Sequence, residues 1–160
     1  MDSFPLLPES IAESTYILFL GKRLEEDYTI EYLSEGNPYK DHFIECGNID
    51  KEFMPSYYQQ SDVVALLSLS EGFGLSLIEG MHYGLPCIAF NDIDAFDDIY
   101  NDEAVIGIES HDNEAVADSL KRLLQNQWNE YAIKQHSRKY EPEVMANYYV
   151  KAFSEIENNN

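Results

Sequence analysis

Five short apolar runs alternate with longer segments of helical spacing along most of the chain. The runs are apolar throughout rather than at every second residue, which is typical of strands buried on both faces. They cover residues 16–20, 43–46, 63–67, 86–90 and 105–108. Alternation of such strands with helices implies right-handed crossovers between parallel strands. The sequence therefore predicts an α/β fold, with a doubly wound parallel sheet and helices on both faces.

Helical spacing is found between and after the predicted strands. The predicted helices cover residues 24–33, 52–60, 75–83, 95–100, 113–125, 128–140 and 142–156. Residues 1–14 contain two prolines and no sustained period, so we interpret them as a linker or as the remnant of a preceding element. The rest, residues 15–160, is predicted to be one domain with C-terminal helices, which is long enough to bury a sizeable core.

The charge of the chain limits its partners. It carries 10 basic and 30 acidic residues, a formal net charge of −20. Nucleic acid and anionic lipid require clustered Lys and Arg, so neither is an expected partner. A single nucleotide is compatible, because helix N-termini and loop amides hold phosphate without much basic charge.

The apolar runs and the two cysteines bear on location. No run approaches the roughly 20 residues of a membrane span, so none is expected. Cys46 and Cys87 are too few for a disulfide framework and are interpreted as free thiols. We therefore expect a reducing, cytoplasmic setting.

The loop after the third predicted strand has the clearest ligand-binding pattern. Ligands of doubly wound sheets lie beyond the carboxyl ends of the strands. This loop contains Gly72 and Gly74 directly before a helix that begins near Leu75. Glycine lets backbone amides approach a ligand closely, and a helix N-terminus presents unpaired N–H groups and a positive dipole end. The loop is therefore a predicted site for a phosphate or another oxygen-rich group.

Two carboxylates flank the start of this helix. Glu71 precedes the glycines, and Glu79 lies off the apolar face of the helix. Carboxylates accept hydrogen bonds from pairs of hydroxyl groups, so ribose and hexose diols are natural partners. The structural alternatives are that Glu71 is only an anion favoured by the helix dipole and that Glu79 is a solvated surface residue.

The segment EGFGL at residues 71–75, with Glu79 four residues beyond it, resembles the E-x7-E motif of retaining glycosyltransferases of the GT-B fold, group 1 (family 4 type). Segments 57–63 and 84–89 also resemble that family, and residues 16–156 align with its pattern. The resemblance implies the Rossmann-like, donor-binding lobe of an enzyme of polysaccharide biosynthesis. Such an enzyme transfers a hexose from a nucleotide diphosphate sugar to an acceptor, here unknown, with retention at the anomeric carbon.

The resemblance also implies roles for individual residues. Glu71 is the expected catalytic residue, in contact with the hexose hydroxyls near the anomeric carbon, and Glu79 is expected to bind the ribose hydroxyls. The nucleobase is expected to lie against Gly47, Asn48 and Ile49. The donor sugar and diphosphate are expected to contact Gly72, Phe73, Gly74, Leu75, Ser76, Lys22 and Arg23. The nucleotide sugar is a substrate, and neither a cofactor nor a metal is expected.

The resemblance is incomplete in three places. This chain is too short for the acceptor-binding lobe, which is expected to be missing or on another chain, so that the chain is a fragment or one subunit of a split enzyme. The preferred alignment places residues 16–20 on the family's second strand and leaves out the first β–α unit with its diphosphate-binding Arg and Lys. In the competing alignment Lys22 or Arg23 has that role. An acidic segment, residues 91–98, replaces a glycine-rich turn, and without the glycine and closing Glu of a calcium loop it is interpreted as a solvated helix start.

Two other functions are compatible with the sequence. A catalytically inactive, glycosyltransferase-like interaction protein is favoured by the acidic segment and by the missing diphosphate-binding residues. Another GT-B nucleotide-sugar enzyme, such as an epimerase, suits the fold but accounts less well for the pair Glu71 and Glu79.

Overall fold

The computed structural model describes residues 1–22, 29–94 and 96–158. Its strands are β1 (Ile17–Leu20), β2 (Phe43–Gly47), β3 (Val64–Leu66), β4 (Cys87–Phe90) and β5 (Val105–Ile108). Its α-helices are α1 (Glu9–Ala12), α2 (Ile30–Leu33), α3 (Met54–Gln60), α4 (Leu75–His82), α5 (Phe96–Ile99), α6 (Asn113–Gln125), α7 (Glu130–Ser137) and α8 (Pro142–Asn158). Short 3-10 segments cover Phe4–Leu6, Lys40–His42 and Arg138–Tyr140.

The predicted elements agree well with these bounds. Each of the five predicted strands is present with ends within one residue of the prediction. The helix predicted over 113–125 has those bounds, and the one predicted over 128–140 is α7 followed by a 3-10 turn. Of the helix predicted over 24–33, residues 24–28 lie outside the described residues, and α2 covers its end.

All strand pairs are parallel, as predicted, but they form two sheets. β1 pairs with β2, and β4 lies between β3 and β5. No ladder joins the two-stranded and three-stranded sheets within the described residues. The α/β architecture is therefore confirmed, and the predicted parallel sheet is divided into two parts.

The main core surrounds β4. All four residues of this strand are buried, as expected for a strand covered on both faces. Helices α4 to α7 each bring fully buried side chains to the same cluster: Leu77, Met81, Ile99, Leu123 and Ile133. The position of the glycine loop and of α4 is therefore set by the best-packed part of the molecule.

The smaller sheet is buried on one face only. Ile17 and Phe19 of β1 are partly buried and pack in a second cluster with Phe43, whereas Leu18 and Leu20 are 40% and 38% exposed. The expectation of burial on both faces is therefore wrong for β1, because its second face has no covering layer in the described residues.

The N-terminal segment is packed against this sheet. Phe4 and Ala12 are buried, and the Phe4 ring meets the Phe43 ring edge to face with centroids 5.1 Å apart. Such contacts arise because a single sheet face needs apolar cover. Residues 1–14 thus contribute buried side chains to the second cluster, whereas their interpretation as a linker or as the remnant of a preceding element stays a prediction.

Candidate functional site

The glycine loop between β3 and α4 has a geometry that depends on Gly74. This residue has φ 71° and ψ 42°, the left-handed conformation, and directly precedes Leu75 at the start of α4. A Cβ built on Gly74 would lie 3.1 Å from Cδ1 of Ile99, so the loop also approaches α5 closely. The amides of Leu75 and Ser76 belong to the first turn, which has no acceptor inside a helix. The predicted phosphate-binding geometry is therefore compatible with the backbone at this end of α4.

Glu71 lies at the beginning of this loop. Its side chain is partly buried, and its Oε1 atom accepts a long hydrogen bond of 3.4 Å from the Phe73 amide. The carboxylate therefore lies beside the Phe73 amide, at an exposed part of the loop. The contact of Glu71 with a ligand stays a prediction.

Glu79 is on α4, one turn beyond the loop. The residue is exposed, and its Oε2 atom accepts a 2.8 Å hydrogen bond from the hydroxyl of Tyr58 on α3. Tyr58 is 7% exposed, and its ring stacks on that of Tyr83 with centroids 5.5 Å apart. Burial, and next the hydrogen bond to Glu79, raise the pKa of Tyr58 well above its ordinary value. The hydroxyl therefore stays protonated and donates to Glu79.

The second group of predicted residues lies at the carboxyl end of the smaller sheet. The Gly21 amide donates to the Gly47 carbonyl at 2.8 Å, and both glycines have positive φ, 130° and 69°. This contact places the exposed Lys22 at the same end as Asn48 and Ile49. Arg23 lies outside the described residues. The predicted site thus consists of a loop group on β3–α4 and a turn group on β1 and β2.

A model of the family described as "Glycosyl transferases group 1" matches residues 1–141. The chain belongs to this family. A relative from Klebsiella pneumoniae, an uncharacterized 41.2 kDa protein in the cps region, is 27% identical over 118 residues, which are 71% of this chain and 33% of the relative.

Similar solved structures have the same fold. A glycosyltransferase from Rickettsia africae has a TM-score of 0.75 at 21% identity and matches 92% of this chain and 41% of its own. The lipopolysaccharide outer core galactosyltransferase WaaB has a TM-score of 0.70 at 17% identity, and the match covers 88% of this chain and 41% of WaaB. Anabaena Alr3699/HepE, solved in complex with UDP, has a TM-score of 0.71 at 16% identity, and the match covers 96% of this chain and 43% of HepE. The GT-B, Rossmann-like class is therefore confirmed, and this chain spans less than half the length of each of these proteins.

A contact that the sequence did not reveal joins the glycine loop of this group 1 chain to the 3-10 turn after α7. The ring of Phe73 meets that of Tyr140 edge to face at 5.8 Å. The Lys139 ammonium group donates a 2.8 Å hydrogen bond to the Asp98 carbonyl, and the Tyr140 hydroxyl donates to the same oxygen. Burial and the nearby Asp98 carboxylate raise the pKa of Tyr140 to about 12. The 3-10 turn after α7 therefore joins the loop to the end of α5.

Among the described residues, the carboxylates of the acidic segment after β4 do not form a cluster that could hold a metal ion. Asp92 pairs with His111 at 3.0 Å, whereas Asp97 and Asp98 are in the first turn of α5 and exposed. Carboxylates at that position are favoured by the helix dipole. Ala95 lies outside the described residues, and the described part of the segment agrees with the solvated helix start that the sequence indicates.

Two cavities lie elsewhere on the molecule. One, of about 740 Å³, is lined by Gln127, Trp128, Asn129, Glu130, Tyr131 and Lys134. The other, of about 180 Å³, is lined by Tyr100, Asp102, Val105, Ile106, Gly107, Arg122, Asn126 and Trp128. Neither is lined by a predicted site residue. In the part of the chain that the structure describes, no helix is both long and apolar enough to cross a bilayer.

Acidification is expected to destabilise the fold at His136, the α7 residue that contacts α5. Burial lowers the pKa of His136 below 6.5 and Lys139 lowers it a little further, whereas the 2.8 Å contact of Nε2 with the Ile99 carbonyl acts in the opposite direction. The unfolded chain therefore takes up this proton more readily, so the stabilisation is present above pH 6.5 and is lost as the pH falls below it. Thermal melts are measured for the native chain and for His136→Gln between pH 7.5 and 5. The difference between their Tm values should become smaller as the pH falls. A difference that is constant with pH would contradict this role.

Proposed function

We propose that this chain is the donor-binding half of a retaining glycosyltransferase, which transfers a hexose from a nucleotide diphosphate sugar to an acceptor. The observation that carries the proposal is the arrangement around the start of α4. A left-handed Gly74 leads the loop into the helix N-terminus, Glu71 precedes it in the loop, and Glu79 follows it one turn along α4. Helix amides suit phosphate oxygens, and carboxylates suit sugar diols. Anabaena HepE, which has a similar fold, is described as a complex with UDP and with UDP-glucose.

Each group at the loop has one role in the transfer. The bond between the anomeric carbon and the diphosphate breaks, and the acceptor oxygen bonds to the same face of that carbon, which retains the configuration. The proton of the acceptor hydroxyl passes to the leaving diphosphate oxygen. The leaving diphosphate gains negative charge, which the amides of residues 72–76 and the positive end of α4 stabilise. Glu71 contacts the hexose hydroxyls near the reacting carbon and orients the sugar. Glu79 accepts hydrogen bonds from the ribose hydroxyls.

The turn group completes the donor site in this proposal. Gly47, Asn48 and Ile49 lie against the nucleobase, and Lys22 offsets part of the diphosphate charge. Lys22 is exposed at the end of β1, and the hydrogen bond between Gly21 and Gly47 supports its closeness to the turn. Arg23, the neighbouring candidate, has the same proposed role on the basis of the sequence.

An acceptor-binding lobe is the proposed partner of this half. The chain spans 41% to 43% of three similar solved structures and 33% of the Klebsiella relative. In the part of the chain that the structure describes, no ladder joins the two sheets, which agrees with the absence of the first β–α unit from the aligned segment. The lobe and that unit belong to another chain or to another part of the same protein. The similarity to WaaB and to a cps-region protein favours a role in making cell-surface polysaccharide.

A nucleotide titration tests the proposal. UDP, GDP and ADP are added separately to millimolar concentration, and binding is followed by amide NMR shifts. One of the three is expected to bind, with the largest shifts at residues 72–76. The variant Glu79→Ala should weaken that binding by roughly 10-fold, because a hydrogen bond to a charged group contributes about 1.5–3 kcal/mol and water replaces part of it here.

The control for this titration is Glu143→Ala, which removes an exposed carboxylate in the first turn of α8. It should leave the affinity unchanged. If no nucleotide shifts any amide, donor binding is wrong, and the inactive interaction protein becomes the better hypothesis. If a nucleotide binds and Glu79→Ala binds it equally well, the assignment of Glu79 to the ribose is wrong.

A further inference from the structure

The hydrogen bond between Tyr58 and Glu79 joins two elements that are distant in sequence. Tyr58 is on α3 and Glu79 is on α4, 21 residues later, and the hydroxyl reaches Oε2 at 2.8 Å. A hydroxyl that donates to a carboxylate makes a charge-assisted hydrogen bond, which is among the stronger kinds. The contact therefore holds a side chain that would otherwise be free to rotate on an exposed helix surface.

Tyr58 itself is well fixed. Its side chain is buried, and its ring lies nearly parallel to that of Tyr83, at an interplanar angle of 12°. Tyr83 directly follows α4, so the aromatic stack and the hydrogen bond connect α3 to the same helix at two points. The hydroxyl consequently acts as a fixed donor at one oxygen of Glu79.

The hydrogen bond from Tyr58 to one oxygen of Glu79 leaves the carboxylate able to bind a diol. Oε2 accepts from Tyr58, and a carboxylate has further acceptor positions on both oxygens. Two adjacent hydroxyls can use those positions without displacing Tyr58. A carboxylate that is already oriented also loses less rotamer freedom when the ligand arrives.

We propose that Tyr58 is a positioning residue that presents the Glu79 carboxylate to the ribose hydroxyls of the donor nucleotide. This inference rests on the proposed function, because it requires that Glu79 bind ribose. It makes Tyr58 part of the recognition of the sugar, although Tyr58 does not contact the ligand.

The test compares a ribonucleotide with its 2′,3′-dideoxy counterpart. The nucleotide among UDP, GDP and ADP that binds the native chain is titrated by NMR beside the dideoxy form of the same base. Tyr58→Phe, which keeps the ring and its stack, is expected to weaken ribonucleotide binding about 5-fold and to leave dideoxynucleotide binding unchanged. In the Glu79→Ala background, Tyr58→Phe should cause no further loss. Tyr57→Phe, at the neighbouring position, is the matched control and should bind both ligands like the native chain.

The possible failures are distinguishable. If Tyr58→Phe weakens both ligands equally, Tyr58 has only a structural role and the proposal is overturned. If Tyr58→Phe binds the ribonucleotide as tightly as the native chain while Glu79→Ala does not, Tyr58 does not position Glu79. If the native chain binds none of the three nucleotides, the proposed function fails and this inference fails with it. A thermal melt of each variant verifies that it is folded before the titration.

Discussion

Replacing Leu77 by alanine is expected to lower the free energy of unfolding by about 2–5 kcal/mol. Leu77 is fully buried on α4, in the cluster that surrounds β4. Alanine removes three carbon atoms from a close-packed site and leaves a cavity that the neighbours fill only in part. Urea unfolding followed by circular dichroism measures the change. Because α4 also carries Glu79 and begins at the glycine loop, the same variant should populate open forms that bind nucleotide less well.

Leu75→Ala is the matched control, since it makes the same substitution two residues earlier on the same helix. Leu75 is 62% exposed, and leucine and alanine have similar helix propensities. A surface change of this kind alters stability by about 0.5 kcal/mol or less. Equal effects of the two substitutions would mean that the face of α4 turned towards the core is assigned wrongly.

The face of α4 was predictable because its pattern is local. Gly74, Leu77 and Met81 recur at helical spacing, and all three are buried. Strand positions followed from the same logic, since an apolar run between turn residues has few other structures available to it. The family resemblance, in turn, was carried chiefly by residues 71–79, with support from segments 57–63 and 84–89.

Other features of the fold depend on what covers each surface. Leu18 and Phe19 are both apolar, and the sequence alone does not distinguish the exposed residue from the partly buried one, because the difference lies in the single layer packed on that sheet. The packing of Phe4 on Phe43 has the same origin, since it joins segments nearly 40 residues apart. Periodic apolar residues predict that a face of a strand or helix must be covered, but they do not predict which segment of the chain covers it.

The supports of the candidate site were missed for a related reason. Tyr58 donates to Glu79, and Tyr140 contacts Phe73, but each pair is separated by 21 residues or more. Tyrosine suits a core, an interface or a polar contact equally well, so its presence indicates no specific partner. The sequence therefore predicted the residues proposed to contact the ligand, and only the structure showed which side chains hold them in place.

Replacing Gly74 by valine is expected to have the second large effect, through the backbone as well as through packing. An L residue in the left-handed conformation costs about 1–2 kcal/mol, and a β-branched one is a genuine outlier there. The new side chain would also meet Ile99 and Leu66, which lie 3.1 and 3.4 Å from a Cβ at this position, and overpacking adds about 1–3 kcal/mol. Urea unfolding measures the combined loss of stability.

Gly72→Val is the control, because it tests whether any valine in the loop destabilises the fold, without the backbone strain and the overpacking expected at Gly74. Gly72 has no positive φ, and a Cβ built there meets nothing within 4 Å, so valine at this position should change the free energy of unfolding by about 0.5 kcal/mol or less. The two glycines are two residues apart and both precede α4, so the comparison isolates the left-handed turn and its contact with α5. A similar loss of stability in both variants would contradict the role of Gly74. A large loss at Gly74 alone would show that this turn fixes the start of α4, and with it the amides that the proposed function assigns to the diphosphate.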